Sequence, residues 1–367
     1  MIPQVDLARQ HAALRDELLA AVARVLGTSR FILGPEGQAF EAELAALSGA
    51  RHGIGVNSGT DALLLALRAV GVGPGDEVIT SAFSFVASAS TVVLIGAMPV
   101  FVDVDAETYN IDPARLEAAI TPRTRAIVPV HLYGHPAAMD EIDAIARRRG
   151  LAVVADAAQA VGAAYGGEPI AAWGDVSCLS FYPTKNLGAC GDGGMILTTR
   201  DDIAERVRRL RDHGATRKYL HVELGYSSRL DELQAALLRV KLAHLPRWNE
   251  ARRQLAARYA DGLRGLDLAL PVERPPAHHV YHQFAVRTAK RDALAAALAG
   301  AGVGTSVHYP TIIPCQPLFS HPDAERRFPH AAQAAAEVLC LPCFPEITDE
   351  EVAAVMACVR QSLAQLG

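Results

Sequence analysis

The segment at residues 176–199, VSCLSFYPTKNLGACGDGGMILTT, combines a reactive amine with bare backbone. It predicts an apolar strand that ends at Ser180, a turn through Pro183, and Lys185 just before glycines at 188, 191, 193 and 194. Glycine has no side chain, so a flat ligand can approach the backbone closely there. A lysine forms imines once burial and neighbouring charges free its amine. A solvated surface lysine is the alternative, and this segment alone does not decide between the two.

A carboxylate follows a neighbouring candidate strand. Asp156 opens the sequence DAAQ directly after LAVVA. Asp at such a junction commonly caps a helix. It can also keep a pyridine nitrogen protonated, which makes the ring an electron sink. Pyridoxal phosphate (PLP) chemistry needs a lysine at the aldehyde carbon and an acid at the ring nitrogen, so Lys185 and Asp156 together favour this cofactor.

Two further segments suit the same ligand. In NSGTDA, the residues Ser58, Gly59 and Thr60 place backbone N–H groups and a hydroxyl at a predicted helix N-terminus, which is a ready phosphate site. An ordinary capped helix start is the alternative. Phe85, after the next strand, could cover one face of a ring, although an isolated Phe is more often part of a core.

The elements that must position these residues alternate between short apolar runs and longer helical patterns. This alternation predicts right-handed βαβ units, a mostly parallel sheet, and ligands at the C-terminal ends of its strands. We expect strands at 52–56, 77–80, 99–104, 125–132, 151–155 and 280–286, and helices at 60–70, 85–95, 113–119, 139–149, 201–213 and 230–259, the last kinked at Pro246. The predicted domains are a large one at 1–245 and a smaller C-terminal α/β domain at 246–367.

Composition excludes several classes of protein. The 367 residues carry a net charge of -5 and no Lys/Arg run, so a nucleic-acid partner is not expected. No uncharged apolar run reaches the length of a membrane helix, and the N-terminus does not resemble a secretory signal, so we expect a cytoplasmic protein. Cys340 and Cys343 alone have C-x-x-C spacing, which favours two buried thiols over a metal site.

With these motifs in order, the chain resembles the DegT/DnrJ/EryC1/StrS family of PLP-dependent nucleotide-sugar aminotransferases, of fold type I. The resemblance runs through FILGPEGQAFEAELAALSGA, VNSGTDALLLAL, GPGDEVI, PVFVDVD, VHLYGHP, ADAAQAVGA, SFYPTKNLGACGDGG, LGYSSRLDELQAALL and VHYP. It implies that Lys185 is the Schiff-base lysine and shuttles protons, and that Asp156 pairs with the pyridinium nitrogen. It also implies that Gln159 contacts the ring hydroxyl side, that Ser58, Gly59, Thr60 and Ser180 hold the phosphate, and that Phe85 stacks on the ring.

The resemblance also bears on the substrate and the partner subunit. It implies L-glutamate as amino donor, a nucleotide-linked keto-sugar as acceptor, and a homodimer with shared active sites. Relatives have an Asn that reaches the phosphate from the partner subunit, and Ser227 stands at that position here. His308 and Tyr309 match a loop near the sugar-nucleotide. Arg229 either binds the donor carboxylate or braces the dimer, while His131 is expected to be structural.

Several functions stay open on the sequence alone. The segments RDHGATRKYLH and GYSSRLDELQAALLRVKLAHLPRWNEAR resemble members that act at C3 of dTDP- or UDP-linked sugars. C4 aminotransferases of the perosamine type are the alternative, and a non-catalytic regulatory protein is another. Relatives that dehydrate sugars carry His at the position of Lys185, so the lysine favours amino transfer.

Overall fold

The computed structural model of the protein describes residues 1–366. The helices are α1 (Leu7–Ala13), α2 (Arg15–Thr28), α3 (Pro35–Leu47), α4 (Gly59–Ala69), α5 (Ala87–Leu94), α6 (Leu116–Ala119), α7 (Met139–Arg149), α8 (Asp201–Leu210), α9 (Glu232–Leu242), α10 (Leu245–Gly262), α11 (Arg291–Gly300), α12 (Ala324–Arg327), α13 (Pro329–Glu337) and α14 (Asp349–Leu366). The strands are β1 (His52–Val56), β2 (Glu77–Ser81), β3 (Met98–Val102), β4 (Thr124–Val128), β5 (Ala152–Asp156), β6 (Ala164–Tyr165), β7 (Glu168–Pro169), β8 (Val176–Ser180), β9 (Gly194–Thr198), β10 (Ala215–Arg217), β11 (Leu220–His221), β12 (Ala277–His278), β13 (Phe284–Arg287) and β14 (Val338–Leu341).

Seven strands form the central sheet in the order β1-β9-β8-β5-β4-β2-β3. Strand β9 runs antiparallel to both of its neighbours, and the other adjacent pairs are parallel. The predicted mostly parallel α/β sheet is therefore confirmed. Strands β5 and β8 are neighbours, with Asp156 opposite Cys178. The residues that follow these two strands consequently emerge side by side.

Helices cover both faces of this sheet because its strands are apolar on both sides. Val153 and Val154 are consecutive in β5 and belong to different cores, as successive strand side chains point to opposite faces. Val154 packs in the core that includes α4, whose run at Leu63–Leu67 is entirely buried. Val153 packs with α7 on the other face. Such two-sided burial is typical of parallel sheets.

The C-terminal part has its own apolar core. Strand β13 pairs antiparallel with β14, and helices α10, α11 and α14 pack around them. The chain start joins this core, since Ile2 forms a bridge with Val303. Helix α10 contributes Leu245 to a core of the large sheet and Leu255 to the C-terminal core. The domain boundary at residue 245 stays a prediction.

Three predicted elements differ clearly from the structure. The strand expected at 125–132 ends at Val128. The segment at 230–259 is two helices rather than one kinked helix, because α9 ends at Leu242 and α10 begins at Leu245. Pro246 lies in the first turn of α10, where its missing N–H is not needed. The strand expected at 280–286 begins only at Phe284, since Val280 and Gln283 instead donate backbone hydrogen bonds to Gly134 and Tyr133.

Within residues 1–366, no helix combines the length and the apolar character that crossing a membrane requires. In the same range, no group of three or more His, Cys, Asp or Glu side chains is placed to hold a metal ion. Cys340 and Cys343 are buried and unpaired, as the sequence predicts.

Candidate active site

A cavity of about 560 Å³ opens at the C-terminal ends of the parallel strands. This is the edge at which open α/β sheets bind their ligands. Ten of the twelve predicted site residues line it, namely Ser58, Gly59, Thr60, Phe85, Asp156, Gln159, Ser180, Lys185, His308 and Tyr309. The remaining lining residues include Ser84, Tyr182, Thr184, Asp192, His282 and Gln283.

Lys185 reaches the cavity from a tight loop after β8. Its backbone N–H donates to the carbonyl of Tyr182 at 2.8 Å, and a side chain at Gly188 would overlap the carbonyl of Pro183. Burial lowers the pKa of the Lys185 amine to about 8, although the negative charge of Asp156 acts in the opposite direction. A larger fraction of this amine is therefore neutral near pH 7 than of an exposed lysine, and the neutral amine is the nucleophile.

Asp156 is the last residue of β5 and is 5 % exposed. Burial raises the pKa of its carboxyl, while the Ala158 N–H at 3.2 Å and the Lys185 charge partly counteract this rise. A buried carboxylate with one hydrogen bond is poorly compensated. A cationic ring nitrogen in the cavity would supply the missing partner, so Asp156 fits the pyridinium of PLP.

The helix N-terminus beside this pair fits the cofactor phosphate. The Ser58 hydroxyl caps α4 by accepting from the Asp61 N–H at 3.1 Å. Within residues 1–366, the backbone N–H groups of Gly59 and Thr60 have no hydrogen-bond acceptor. A Cβ on Gly59 would lie 2.6 Å from the Cβ of Ser180, so only glycine lets the helix meet the end of β8 this closely. Unpaired amides at a helix N-terminus favour an anion.

Gln159 and two aromatic residues, Phe85 and Tyr309, form another part of the cavity wall. The Gln159 side chain accepts a hydrogen bond from the Tyr133 N–H at 2.7 Å and donates one to the Tyr309 hydroxyl at 3.2 Å. The Phe85 ring is half exposed and lies 5.9 Å from the Tyr309 ring. Tyr133 also donates to the carbonyl of His308. This wall therefore joins the segment at 308–309 to the end of β5.

Ser227 and Arg229 do not line this cavity. They line a second one of about 270 Å³, which borders the first at Asp192. Arg229 forms an ion pair with Asp212 at 2.7 Å and donates to the Ser227 hydroxyl at 2.7 Å. Their predicted contacts with cofactor and donor are therefore not made within one chain and stay predictions that involve the partner subunit.

Ser228, by contrast, is buried and contacts the loop before α4. Its hydroxyl donates to Oδ1 of Asn57 at 3.1 Å and accepts from the Asn57 N–H at 3.4 Å. The segment that contains Ser227 and Arg229 thus also contacts the candidate phosphate site, because Ser228 binds Asn57, the residue that precedes Ser58.

Comparison with known proteins agrees with this geometry. The model of the DegT/DnrJ/EryC1/StrS aminotransferase family matches residues 12–360. The chain belongs to this family. It is 49 % identical over 99 % of its length, and 98 % of the relative's, to a UDP-N-acetyl-3-dehydro-α-D-glucosamine 3-aminotransferase of Acidithiobacillus ferrooxidans. It is also 50 % identical to a pleiotropic regulatory protein of Geobacillus stearothermophilus, over 95 % of each chain.

A solved structure shows the same fold. The structure of DesV from S. venezuelae in complex with a ketimine intermediate superposes with a TM-score of 0.97, at 47 % identity, covering 99 % of this chain and 98 % of that one. The chain is therefore a PLP-dependent sugar aminotransferase of the DegT/DnrJ/EryC1/StrS family, with the predicted fold.

The sequence did not single out every residue that lines the cavity of this aminotransferase. His282 and Gln283 lie in the sequence VYHQF, which reads as an ordinary strand. They line the cavity because this segment hydrogen-bonds to the loop at Tyr133 and Gly134. His131, expected to be structural, is fully buried, and its Nδ1 accepts from the Ala137 N–H at 3.0 Å.

We expect covalent capture of added PLP by the cofactor-free protein to accelerate with pH and to level off above a pH of about 8. Only the neutral Lys185 amine attacks the aldehyde, so each pH unit below the pKa lowers the rate about tenfold. Stopped-flow absorbance measures this rate, with free Nα-acetyl-lysine as control. A rate that continues to rise to about pH 10, the range of an unperturbed lysine, would contradict the lowered pKa.

Gly59→Ala should weaken PLP binding by about fivefold to a hundredfold, since the added Cβ pushes the start of α4 away from Ser180 at a cost of about 1–3 kcal/mol. Titration of the cofactor-free protein with PLP gives both affinities. Gly73→Ala is the matched control, because nothing lies within 4 Å of a Cβ at that position. Equal affinities for the two variants would show that this close approach does not shape the phosphate site.

Proposed function

We propose that the protein transfers an amino group from L-glutamate to the C3 ketone of a nucleotide-diphosphate sugar, with UDP- and dTDP-linked sugars as the expected class. The observation that carries this proposal is the pairing of Lys185 and Asp156 at the ends of adjacent strands in one cavity. The 3-aminotransferase named above, nearly half identical over almost the full chain, supports C3.

Bound PLP supplies an electron sink for the electron pair left on a substrate carbon when that carbon loses a proton. The protein positions its own side chains around the cofactor and sets their protonation states. Asp156, as a carboxylate, holds the proton of the ring nitrogen. Lys185, once its amine is free, accepts the proton from the donor's α-carbon and returns it to the neighbouring cofactor carbon. Ser58, Gly59, Thr60 and Ser180 hold the phosphate.

The lining of the cavity suits a sugar acceptor. Phe85, His308 and Tyr309 line the cavity, and its volume lies in the range of small-molecule and cofactor sites. Burial and the nearby Lys185 charge lower the pKa of His308, so its imidazole is neutral at pH 7 and can accept or donate hydrogen bonds to sugar hydroxyls. Arg229 is already paired with Asp212, which favours a role in bracing the dimer over donor binding.

A homodimer is the second part of the proposal. Tyr219, Val222 and Leu224 follow one another around β11 and are 83 %, 57 % and 84 % exposed. Phe31 and Ile32 are also partly exposed, and Ile32 lines the second cavity together with Ser227. Apolar side chains exposed at this density are typical of a protein interface. We propose that this surface meets a second copy and that the dimer acts in the cytoplasm.

A regulatory role without catalysis is the alternative, and the name of the Geobacillus relative motivates it. A protein that binds PLP only as a signal would need the phosphate site. It would not need a lysine whose pKa is lowered beside a buried carboxylate. The C4 aminotransferases remain the other alternative for the acceptor.

Incubation with synthetic 3-keto and 4-keto nucleotide sugars, L-glutamate and PLP tests the reaction. We expect amino sugar from the 3-keto substrate, at least about a hundredfold faster than from the 4-keto one, because a rigid ring presents only one carbon to the cofactor. Lys185→Ala should abolish both turnover and the visible absorbance of the lysine-bound cofactor. Turnover of the 4-keto sugar alone would refute the C3 assignment, and a wild type that binds PLP without turning over either sugar would favour the regulatory alternative.

Leu224→Asp should shift the protein from dimer to monomer, since a charge at the centre of an apolar interface is costly to bury. Light scattering coupled to gel filtration measures the mass. Leu318→Asp is the control, as Leu318 is also exposed, at 62 %, and lies far along the chain near α12. A monomeric wild type, or equal masses for both variants, would contradict this interface.

A further inference from the structure

A fully buried lysine lies behind the loop that carries Lys185. Lys241, near the end of α9, is 0 % exposed. Its Nζ donates a hydrogen bond to the carbonyl of Gly188 at 2.8 Å and lies 2.9 Å from Nε2 of His11 in α1. Within residues 1–366 these are its two hydrogen-bond partners, and neither is a carboxylate. A buried ammonium with neutral partners is costly, so apolar packing alone does not explain this residue.

Both partners of the Lys241 amine act as acceptors. The Gly188 carbonyl can only accept. Burial and the positive charge of Lys241 lower the pKa of His11, so its imidazole is neutral near pH 7 and accepts through Nε2. Lys241 therefore joins the N-terminal helix α1, helix α9 and the loop after β8 at one buried point.

A second side chain of α9 binds the same loop. Gln234 precedes Lys241 by seven residues, which is about two helical turns, so both lie on one face of α9. The Gln234 side chain accepts from the Cys190 N–H at 2.9 Å and donates to the Cys190 carbonyl at 3.2 Å. It thus satisfies both backbone groups of one loop residue, as a neighbouring strand would.

The loop depends on these contacts because of its glycines. Gly188 and Gly191 give the backbone after Lys185 more conformational freedom than other residues would. The Asn186 side chain donates to the carbonyl of Val280 at 3.1 Å and so restrains the residue next to Lys185. The contacts from α9 restrain the part that follows, at Gly188 and beyond.

We propose that Lys241 and Gln234 are positioning residues for Lys185: from one face of α9 they hold the loop backbone and thereby keep the Lys185 amine in the buried position from which it transfers protons. The proposal rests on the role of Lys185 in the proposed function. A loop released from α9 would let the Lys185 side chain sample more orientations and would let water reach its amine, and both effects slow a proton transfer that depends on geometry.

Methionine has a shape similar to either side chain but carries no hydrogen-bond donor and no charge. In Lys241→Met and Gln234→Met we expect kcat to fall about tenfold with KM changed less than about threefold. The pH midpoint of PLP capture should rise by about half a pH unit or more, because burial lowers the pKa of Lys185 and a looser loop relieves that burial. Lys290→Met is the control, since Lys290 is partly exposed and pairs with Asp267.

Hydrogen exchange of the cofactor-free protein, followed by mass spectrometry, measures the loop without any turnover. We expect peptides that cover residues 181–190 to exchange about tenfold faster in both variants than in the wild type, since local opening becomes easier where anchoring contacts are lost. Peptides from β13 and β14 in the C-terminal core should keep their wild-type rates. Lys290→Met should exchange like the wild type in the loop.

A purely structural role predicts faster exchange throughout the chain together with a lower melting temperature, and that result would overturn the proposal. Wild-type loop exchange in both variants would do the same. A capture midpoint that rises in Lys241→Met but not in Gln234→Met would also contradict it, because the shift would then come from the lost charge rather than from the loop.

Two further outcomes are distinguishable. If Lys241→Met does not fold, the loop exchange and capture midpoint of Gln234→Met decide, because this variant leaves the buried charge in place. Failure of the proposed function would abolish turnover in the wild type while leaving the exchange and capture results intact.

Discussion

The active site depends on a charge pair that the fold does not fully satisfy. Lys185 and Asp156 lie in one buried cavity, and burial opposes the charged form of each. The charge of each group stabilises the charged form of the other. Within residues 1–366, however, the Lys185 amine has no hydrogen-bond acceptor, and the Asp156 carboxylate has one donor, the Ala158 N–H. Incomplete compensation is costly in a protein interior. Bound PLP would relieve this cost, because Asp156 would hold its ring nitrogen while Lys185 would hold its aldehyde carbon.

The central sheet and the helix α4 keep this pair close together. Asp156 ends β5 and Lys185 follows β8, and these strands are neighbours held by parallel pairing. The close approach of Gly59 to Ser180 then adds the N-terminus of α4 at the same sheet edge. The backbone positions of Lys185 and Asp156 and the candidate phosphate site are therefore set by three adjacent elements, which supports the precision that proton transfer requires.

How much of this could be predicted from the sequence depended on the range of the interactions. Lys185, Asp156 and the NSGTDA loop are marked by residues within a few positions of themselves, and a parallel sheet brings strand ends together. No neighbouring residues in the sequence identify His282 as a site residue. It lines the cavity because a segment about 150 residues after Tyr133 hydrogen-bonds to the Tyr133 loop in place of extending β13. Alternating apolar residues could not distinguish this arrangement from a strand.

Most residues of the motif GYSSRLDE make structural contacts within the chain rather than line the main cavity. Within one chain, Ser228 hydrogen-bonds to Asn57 next to the candidate phosphate site, and Arg229 pairs with Asp212. Glu232 is 1 % exposed, and its carboxylate accepts from the N–H groups of Gly34, Glu36 and Gly37, each at 2.9 Å, at the start of α3.

These contacts show which positions in the motif the fold of one chain constrains. A carboxylate that accepts three backbone donors at a helix N-terminus is favoured both by hydrogen bonding and by the helix dipole. The Ser227 hydroxyl, in contrast, has only the Arg229 side chain as a hydrogen-bond partner within residues 1–366, and Ser227 lines the second cavity. We therefore expect an exchange between Asn and Ser at this position to affect what approaches that cavity from outside rather than the fold of the chain.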